Sequence, residues 1–224
     1  LNVLSESTIH FGIDIDNSDA LVFLPGQYVN INIPNSNETR SYSFSSVPNA
    51  KQAEFVVRNI PNGKMSTFLS DIAEIGQDMD FEGPFGSFYL RPLVRPTLFL
   101  AGGTGIAPFL SMLKSLEMSG AHHPVRMVYG VTNDFDLIEV QKLEEVKQNH
   151  PWFDYRTCVA TEDSQHERKG YVTGHVDNEW LNDGDVDVYL CGPLGMVDAV
   201  SNWLDSSNLK PSNFYYEKFT PSEQ

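Results

Sequence analysis

Thr97-Leu98-Phe99-Leu100-Ala101-Gly102-Gly103-Thr104-Gly105-Ile106-Ala107-Pro108 is the stretch that decides the fold. Its first five residues are apolar or β-favouring without polar alternation. That is the habit of a parallel strand covered on both faces. The glycines then let the chain turn sharply. Pro108 suits the first turn of a helix, where a missing N–H leaves no bond unmade. Helix periodicity follows at 108–118. A strand, a glycine turn and a helix start in this order offer backbone N–H groups and a positive dipole end to a pyrophosphate. Gly103, Thr104, Gly105 and Pro108 are therefore candidate dinucleotide-binding residues. The run departs from G-x-G-x-x-G, because Pro108 stands where the third glycine belongs, so a plain strand-to-helix connection stays open for the motif taken alone.

Toward the C-terminus the alternation continues. Strands are expected at 125–130, 154–160, 186–191 and 213–219, with helices at 138–148, near 176–181 and at 194–206. Five strands alternating with helices predict an open, five-stranded parallel α/β sheet of Rossmann type. Ligands of such sheets bind at the carboxyl ends of the strands. Ala101-Gly102-Gly103, Tyr129-Gly130 and Cys191-Gly192-Pro193 stand at three of those ends, which adds Gly130, Cys191, Gly192 and Pro193 to the candidates.

Toward the N-terminus the rhythm is different. Alternating runs at 8–15, 28–33, 41–45 and 54–59 are punctuated at Pro25-Gly26, Pro34-Asn35, Pro48-Asn49, Pro61-Asn62-Gly63 and Gly83-Pro84. Short strands between regular turns predict an antiparallel sandwich or barrel. One helix is expected at 64–73, where Met65, Phe68, Leu69 and Ile72 recur at helical spacing. The predicted organisation is an N-terminal antiparallel β-barrel domain at 1–92 and a C-terminal α/β domain at 93–224, with the linker at 91–95. The 224 residues suffice for two such cores.

A net charge of −15 argues against nucleic acid and anionic membrane as partners. No apolar run approaches the length of a membrane span. Cys158 and Cys191 are the only cysteines. Two thiols cannot hold an iron–sulfur cluster, which usually takes four, nor a disulfide framework, so a reduced, cytoplasmic chain is expected. His10, His122, His123, His150, His166 and His175 show no metal-ligand spacing, and no metal site is expected. The chain starts without Met and enters strand alternation almost at once, which reads as a fragment or a processed chain.

The loops that follow the second and third parallel strands bear on which nicotinamide cofactor is bound. A 2′-phosphate needs Arg or Lys, whereas a free ribose often meets a carboxylate. Thr132-Asn133-Asp134-Phe135-Asp136 and Thr161-Glu162-Asp163 are acidic, so NADH is expected, with Asp134 at the ribose. A helix cap is the competing role for Asp134 and Asp136.

In the β half, Arg40-Ser41-Tyr42-Ser43 and Gly63-Lys64-Met65-Ser66-Thr67 are each unremarkable alone. Together with Gly103-Thr104-Gly105-Ile106-Ala107-Pro108, Cys191-Gly192-Pro193 and Glu217-Lys218-Phe219 they stand in the order and spacing of the ferredoxin–NADP reductase superfamily, which the chain resembles over nearly its whole length. Pro84-Phe85-Gly86-Ser87-Phe88-Tyr89-Leu90 and Arg168-Lys169-Gly170-Tyr171-Val172-Thr173-Gly174-His175 make it most similar to the reductase component of benzoate- or anthranilate-type aromatic-ring-hydroxylating dioxygenases.

That resemblance implies an FAD-binding barrel, an NADH-binding α/β domain and hydride transfer from NADH to FAD. It implies Arg40 on the FAD pyrophosphate, Tyr42 stacked on one flavin face and Ser43 near the reactive N5. Arg58, Gly63, Lys64, Met65, Ser66 and Thr67 would complete the phosphate site. Phe219 would cover the other flavin face, with Cys191 and Glu217 beside the nicotinamide. Residues 220–224 would keep a terminal carboxylate from placing Phe219. Electrons would leave singly to a [2Fe-2S] ferredoxin domain, fused upstream or separate, and then to a terminal dioxygenase. The rival enzymes are an NADPH-dependent ferredoxin or flavodoxin reductase and a flavin reductase. The rival from another class is a non-catalytic dinucleotide-binding subunit.

Overall fold

The computed structural model describes residues 1–15, 21–207 and 209–219. The chain divides into two compact units, residues 1–90 with 107–115, and residues 91–106 with 116–224.

The first unit carries β1 (Asn2–Ser5), β2 (Thr8–Asp14), β3 (Tyr28–Asn32), β4 (Thr39–Ser43), β5 (Gln52–Arg58) and β6 (Phe81–Phe85). They form two three-stranded antiparallel sheets, ordered β1-β2-β5 and β4-β3-β6. The alternation seen in the sequence explains the pairing: Ile9 and Phe11 of β2 lie opposite Val57 and Phe55 of β5, all four buried. An isolated bridge from Phe44 to Phe55 links the two sheets. Phe44 stacks on Phe23 at 3.8 Å and meets Phe55 at 5.4 Å. Each such ring contributes about 1.5–3 kcal/mol on burial.

The helix expected at 64–73 starts as α1 (Lys64–Thr67) and widens into a π-helical turn over Phe68–Ile72. Met65, Phe68 and Leu69 enter the core, as their spacing requires. Two strands escaped the sequence reading. β1 is short and half exposed. β6 contains Gly83-Pro84, taken above as a turn. It is the edge strand of its sheet, where a proline without an N–H breaks no ladder, and a Cβ on Gly83 would come within 2.7 Å of Val29.

The second unit is built on one parallel sheet, ordered β11-β10-β7-β8-β9. Its strands are β7 (Thr97–Gly102), β8 (Val125–Val131), β9 (Phe153–Val159), β10 (Asp187–Pro193) and β11 (Asn213–Phe219). The five strands stand where the sequence put them, give or take a residue or two. All six residues of β7 are buried. Leu98 and Leu100 share one face with Val128, Val188 and Leu190, and pack with Val197, Val200 and Leu204 of α4 (Leu194–Ser206). On the other face Phe99, Tyr189 and Tyr215 stand in register and touch ring to ring, at 5.6 and 4.8 Å.

Between these strands in the chain come α2 (Ala107–Ser119), whose residues 107–115 group with the first unit, and α3 (Val140–Asn149). The helix expected near 176–181 is a 3-10 stretch, Asn178–Gly184, interrupted where Asn182 and Asp183 take left-handed angles. Arg95, at the end of the expected linker, is tied into this unit by Asp185 and Asp187 at 2.8 and 3.1 Å. Strand order reverses between β7 and β10, so a ligand crevice belongs at their carboxyl ends. Among the described residues no helix is long and apolar enough to cross a membrane.

Candidate functional site

In the first unit, β4 presents the chemistry. Arg40 and Tyr42 lie opposite Ile31 and Val29, on the core side of the strand, while Ser43 lies opposite Tyr28 on the other face. Tyr42 is half-buried against the core, and burial pushes its phenol far above the ordinary value while the Arg40 charge pulls it back. Ser43 is buried, at 4% exposure. The structure therefore brings Arg40 and Tyr42 together and sends Ser43 to the opposite face.

Arg40 donates through Nη2 to Glu38 Oε2 at 2.7 Å and through Nη1 to the Thr39 carbonyl at 2.9 Å. Lys64, at the start of α1, reaches the other oxygen of the same carboxylate. A guanidinium and an ammonium from two separate segments thus converge on one anion. That donor set fits a diphosphate.

The rest of the α1 motif divides by role. Met65 is in the core. The Ser66 hydroxyl donates to the Ile60 carbonyl at 2.8 Å and accepts from the Ile60 N–H at 3.3 Å, closing its own loop. Gly63 is needed for space, since a Cβ would stand 2.6 Å from Ser66 Oγ and 3.0 Å from the Ile60 carbonyl. What Met65 and Ser66 offer a ligand is the backbone N–H of a helix start. Thr67 and Arg58 are exposed, Arg58 at the last position of β5.

In the second unit the ends of β7 and β10 close on each other through glycines. A Cβ on Gly102 would lie 2.4 Å from Met196 Sδ, and one on Gly192 would lie 3.2 Å from the Cα of Gly102. Gly103 takes φ +55° and opens the tight turn Gly103–Ile106. Pro108 sits in the first turn of α2, as its missing N–H allows. Gly130, the last residue but one of β8, lies under Val172 and Cys158, with no room for a side chain.

Beside this closure lies a titratable pair. Cys191 pairs in register with Ala101 on one side and Glu217 on the other. The thiol is fully buried and held well above its ordinary range, first by burial and then by the Glu217 charge. Burial raises the Glu217 carboxyl to about 7, and its Oε2 is buried without a hydrogen-bond partner. Phe219 closes β11 opposite Pro193, half-buried. Residues 220–224, expected to bear on Phe219, lie outside the described residues.

The two acidic residues after β8 have different employment. Asp136 caps its own turn, accepting from the Asn133 backbone and side-chain nitrogens at 3.1 and 3.0 Å. Asp134 is exposed and accepts from Ser164 Oγ at 2.8 Å, across from the loop after β9. Thr161 ties the same loops by donating to the Thr132 carbonyl at 2.6 Å. The loop after β9 is also less acidic than its first residues suggest, since Lys169 folds back to the Glu162 carbonyl at 2.9 Å.

Sequence reasoning missed Glu38 and Ser164. Glu38 left a signal, being two residues before Arg40 on an extended chain and so on the same face. Ser164 left none, because its partner is thirty residues away in sequence.

Two families match the chain: the oxidoreductase FAD-binding domain over residues 2–89 and the oxidoreductase NAD-binding domain over 99–202. The toluate 1,2-dioxygenase electron transfer component of Pseudomonas putida is 49% identical over 98% of the chain, and the 2-halobenzoate 1,2-dioxygenase electron transfer component of Burkholderia cepacia is 49% identical over 97%. The chain spans 65% of the length of each of these relatives. Among solved structures, the cytochrome P450 reductase GcoB of Amycolatopsis superposes with a TM-score of 0.88 at 27% identity, covering 99% of this chain and 68% of that one.

Proposed function

The chain belongs to the oxidoreductases that join an FAD-binding to an NAD-binding domain, related to the electron-transfer components of aromatic-ring dioxygenases, and from that premise we propose that it takes a hydride from NADH onto FAD and delivers single electrons to a [2Fe-2S] centre serving such a dioxygenase. The observation that carries the reading lies in the second unit. The glycine-packed closure at the ends of β7 and β10 stands in neighbouring register to a carboxyl with one buried, unpartnered oxygen. A buried acceptor without a donor is a place for a ligand N–H, and a nicotinamide carboxamide supplies one.

Each residue then has a task. Gly102, Gly105 and Gly192 let the backbone approach a pyrophosphate, with Gly103, Thr104 and Pro108 shaping the turn and Gly130 and Pro193 bordering it. Asp134 accepts from ribose hydroxyls and repels a 2′-phosphate. Glu217, balanced between its two protonation states near neutrality, accepts from the nicotinamide or holds a proton. Cys191 keeps that corner apolar. Arg40, Lys64, Thr67, Arg58 and the first N–H groups of α1, those of Met65 and Ser66 among them, hold the FAD diphosphate, Gly63 giving that helix start its room. Tyr42 offers a flat aromatic face to the flavin. When bound, FAD supplies a hydride acceptor that releases electrons one at a time.

The two antiparallel sheets are read as halves of one barrel, supported by the Phe44–Phe55 bridge, with the FAD domain at 1–92 and the NAD domain at 93–224. The two buried cysteines cannot ligate an iron–sulfur cluster, so the [2Fe-2S] centre belongs to another domain or another protein, in the cytoplasm.

The purified chain should carry FAD and be yellow, and anaerobic NADH should bleach it near-stoichiometrically. A chain that takes up FAD but is not reduced would leave only a dinucleotide-binding module. A kcat/KM favouring NADPH would reject the role given to Asp134.

A further inference from the structure

We propose that Glu38 is the internal counter-anion of the diphosphate site, a carboxylate that FAD must displace, so that flavin affinity is set by competition with the protein's own side chain. The inference rests on the assignment of Arg40 and Lys64 to the FAD diphosphate.

Glu38 and Arg40 are two residues apart on extended chain and project from one face. Lys64 is brought to them by the fold from a separate segment, the start of α1. Both oxygens of Glu38 are engaged, Oε2 by Arg40 at 2.7 Å and Oε1 by Lys64. One carboxylate therefore occupies the focus of two cations, which is the position a diphosphate bridging them has to take. With Glu38 in place, the diphosphate would meet a like charge at close range, and like charges sharing a site strongly disfavour each other.

The backbone cannot withdraw easily. The Glu38 carbonyl accepts from Ile33 N–H at 2.9 Å, and its N–H donates to Ser36 Oγ at 3.2 Å. Arg40 is likewise anchored by its bond to the Thr39 carbonyl. What can move is the Glu38 side chain, which is 29% exposed and can rotate toward water. Glu38 thus keeps the two cations together and offsets one of their two charges, and gives them up to a doubly charged competitor but not to a single weak anion.

The opposite role is that Glu38 merely aims Arg40, and the two differ in sign. Flavin-stripped full chain is titrated with FAD and, in parallel, with riboflavin, which lacks phosphates. Competition predicts that Glu38→Gln tightens FAD binding roughly tenfold to a hundredfold, the span of one charge-assisted hydrogen bond, and leaves riboflavin binding unchanged. The gain should largely vanish in a Lys64→Met background. Glu38→Ala, checked for native unfolding behaviour, should act in the same direction. Unchanged or weakened FAD binding in Glu38→Gln overturns the proposal. So does an equal gain from Glu74→Gln, an exposed carboxylate elsewhere in the same unit, which would reduce the effect to bulk charge. If Arg40→Ala and Lys64→Met bind FAD as tightly as the parent chain, the diphosphate assignment itself fails. If they bind it weakly while Glu38→Gln gains nothing, only the competition fails.

Discussion

The carbonyl oxygen of Cys191 lies where a side chain on Gly105 would have to stand, 2.3 Å from the ideal Cβ position. The tight turn after β7 therefore rests directly on the backbone of β10. The crowding partner is main chain, so it cannot rotate away. Gly105→Ala must push the turn off the sheet, an overpacking that typically costs 1–3 kcal/mol. The denaturation midpoint should fall, and KM for NADH should rise severalfold. Unchanged KM and midpoint would show that the turn has slack.

Glu217 gives a pH dependence with a definite sign. Burial lifts its folded value to about 7 from an ordinary 4.5. Between those two values the native state holds the proton more tightly than the unfolded chain does. Stability from this group is thus fully present below about pH 4.5, falls as pH rises and is lost above about 7, by about 3 kcal/mol at most. Glu217→Gln keeps the shape and removes the titration. Denaturant unfolding across this range should show the variant gaining on the parent as pH rises, and a constant difference would rule out a raised carboxyl.

Arg40→Ala removes a planar fork from the diphosphate site and leaves the aromatic core of the first unit alone. FAD affinity should fall roughly tenfold to a hundredfold, the worth of a hydrogen bond to a charged group. Thermal unfolding of the flavin-stripped chain should change little, because Arg40 and its partner Glu38 are both partly exposed. Retained FAD affinity, measured by fluorescence titration, would contradict the role of β4.

Asp134 and Ser164 should act together on cofactor choice. Asp134→Ala should lower kcat/KM for NADH about tenfold while easing NADPH binding, since the repelling carboxylate is gone. Ser164→Ala should reproduce part of that loss through KM rather than kcat, because its hydroxyl, which also accepts from the His166 N–H at 3.0 Å, acts on the cofactor through Asp134. Steady-state kinetics with both nicotinamides decide the matter. Additive losses in the double variant would break the proposed dependence.

The α/β half was almost fully legible. β7 is an unbroken apolar run because both its faces are covered, and that pattern is local. The β half was legible where alternation is strong, as in β2 and β5, and illegible in β6. There a proline stands in a strand, and nothing in the neighbouring sequence tells an edge from a turn. In the candidate site, Arg40, Lys64 and the glycine turns could be named from motifs. Their employment could not: Ser66 was named as a ligand residue, and its hydroxyl closes its own loop.

The sequence by itself determined which segments become strand or helix and which glycines must stand at strand ends, because hydrophobic period and backbone freedom act between near neighbours in the chain. Tertiary structure alone decided that Glu38 bridges Arg40 and Lys64, that Glu217 titrates near neutrality and that Asp134 leans on Ser164. Those facts depend on the distance and burial of groups far apart in the chain, and electrostatic and hydrogen-bond energies follow distance in space.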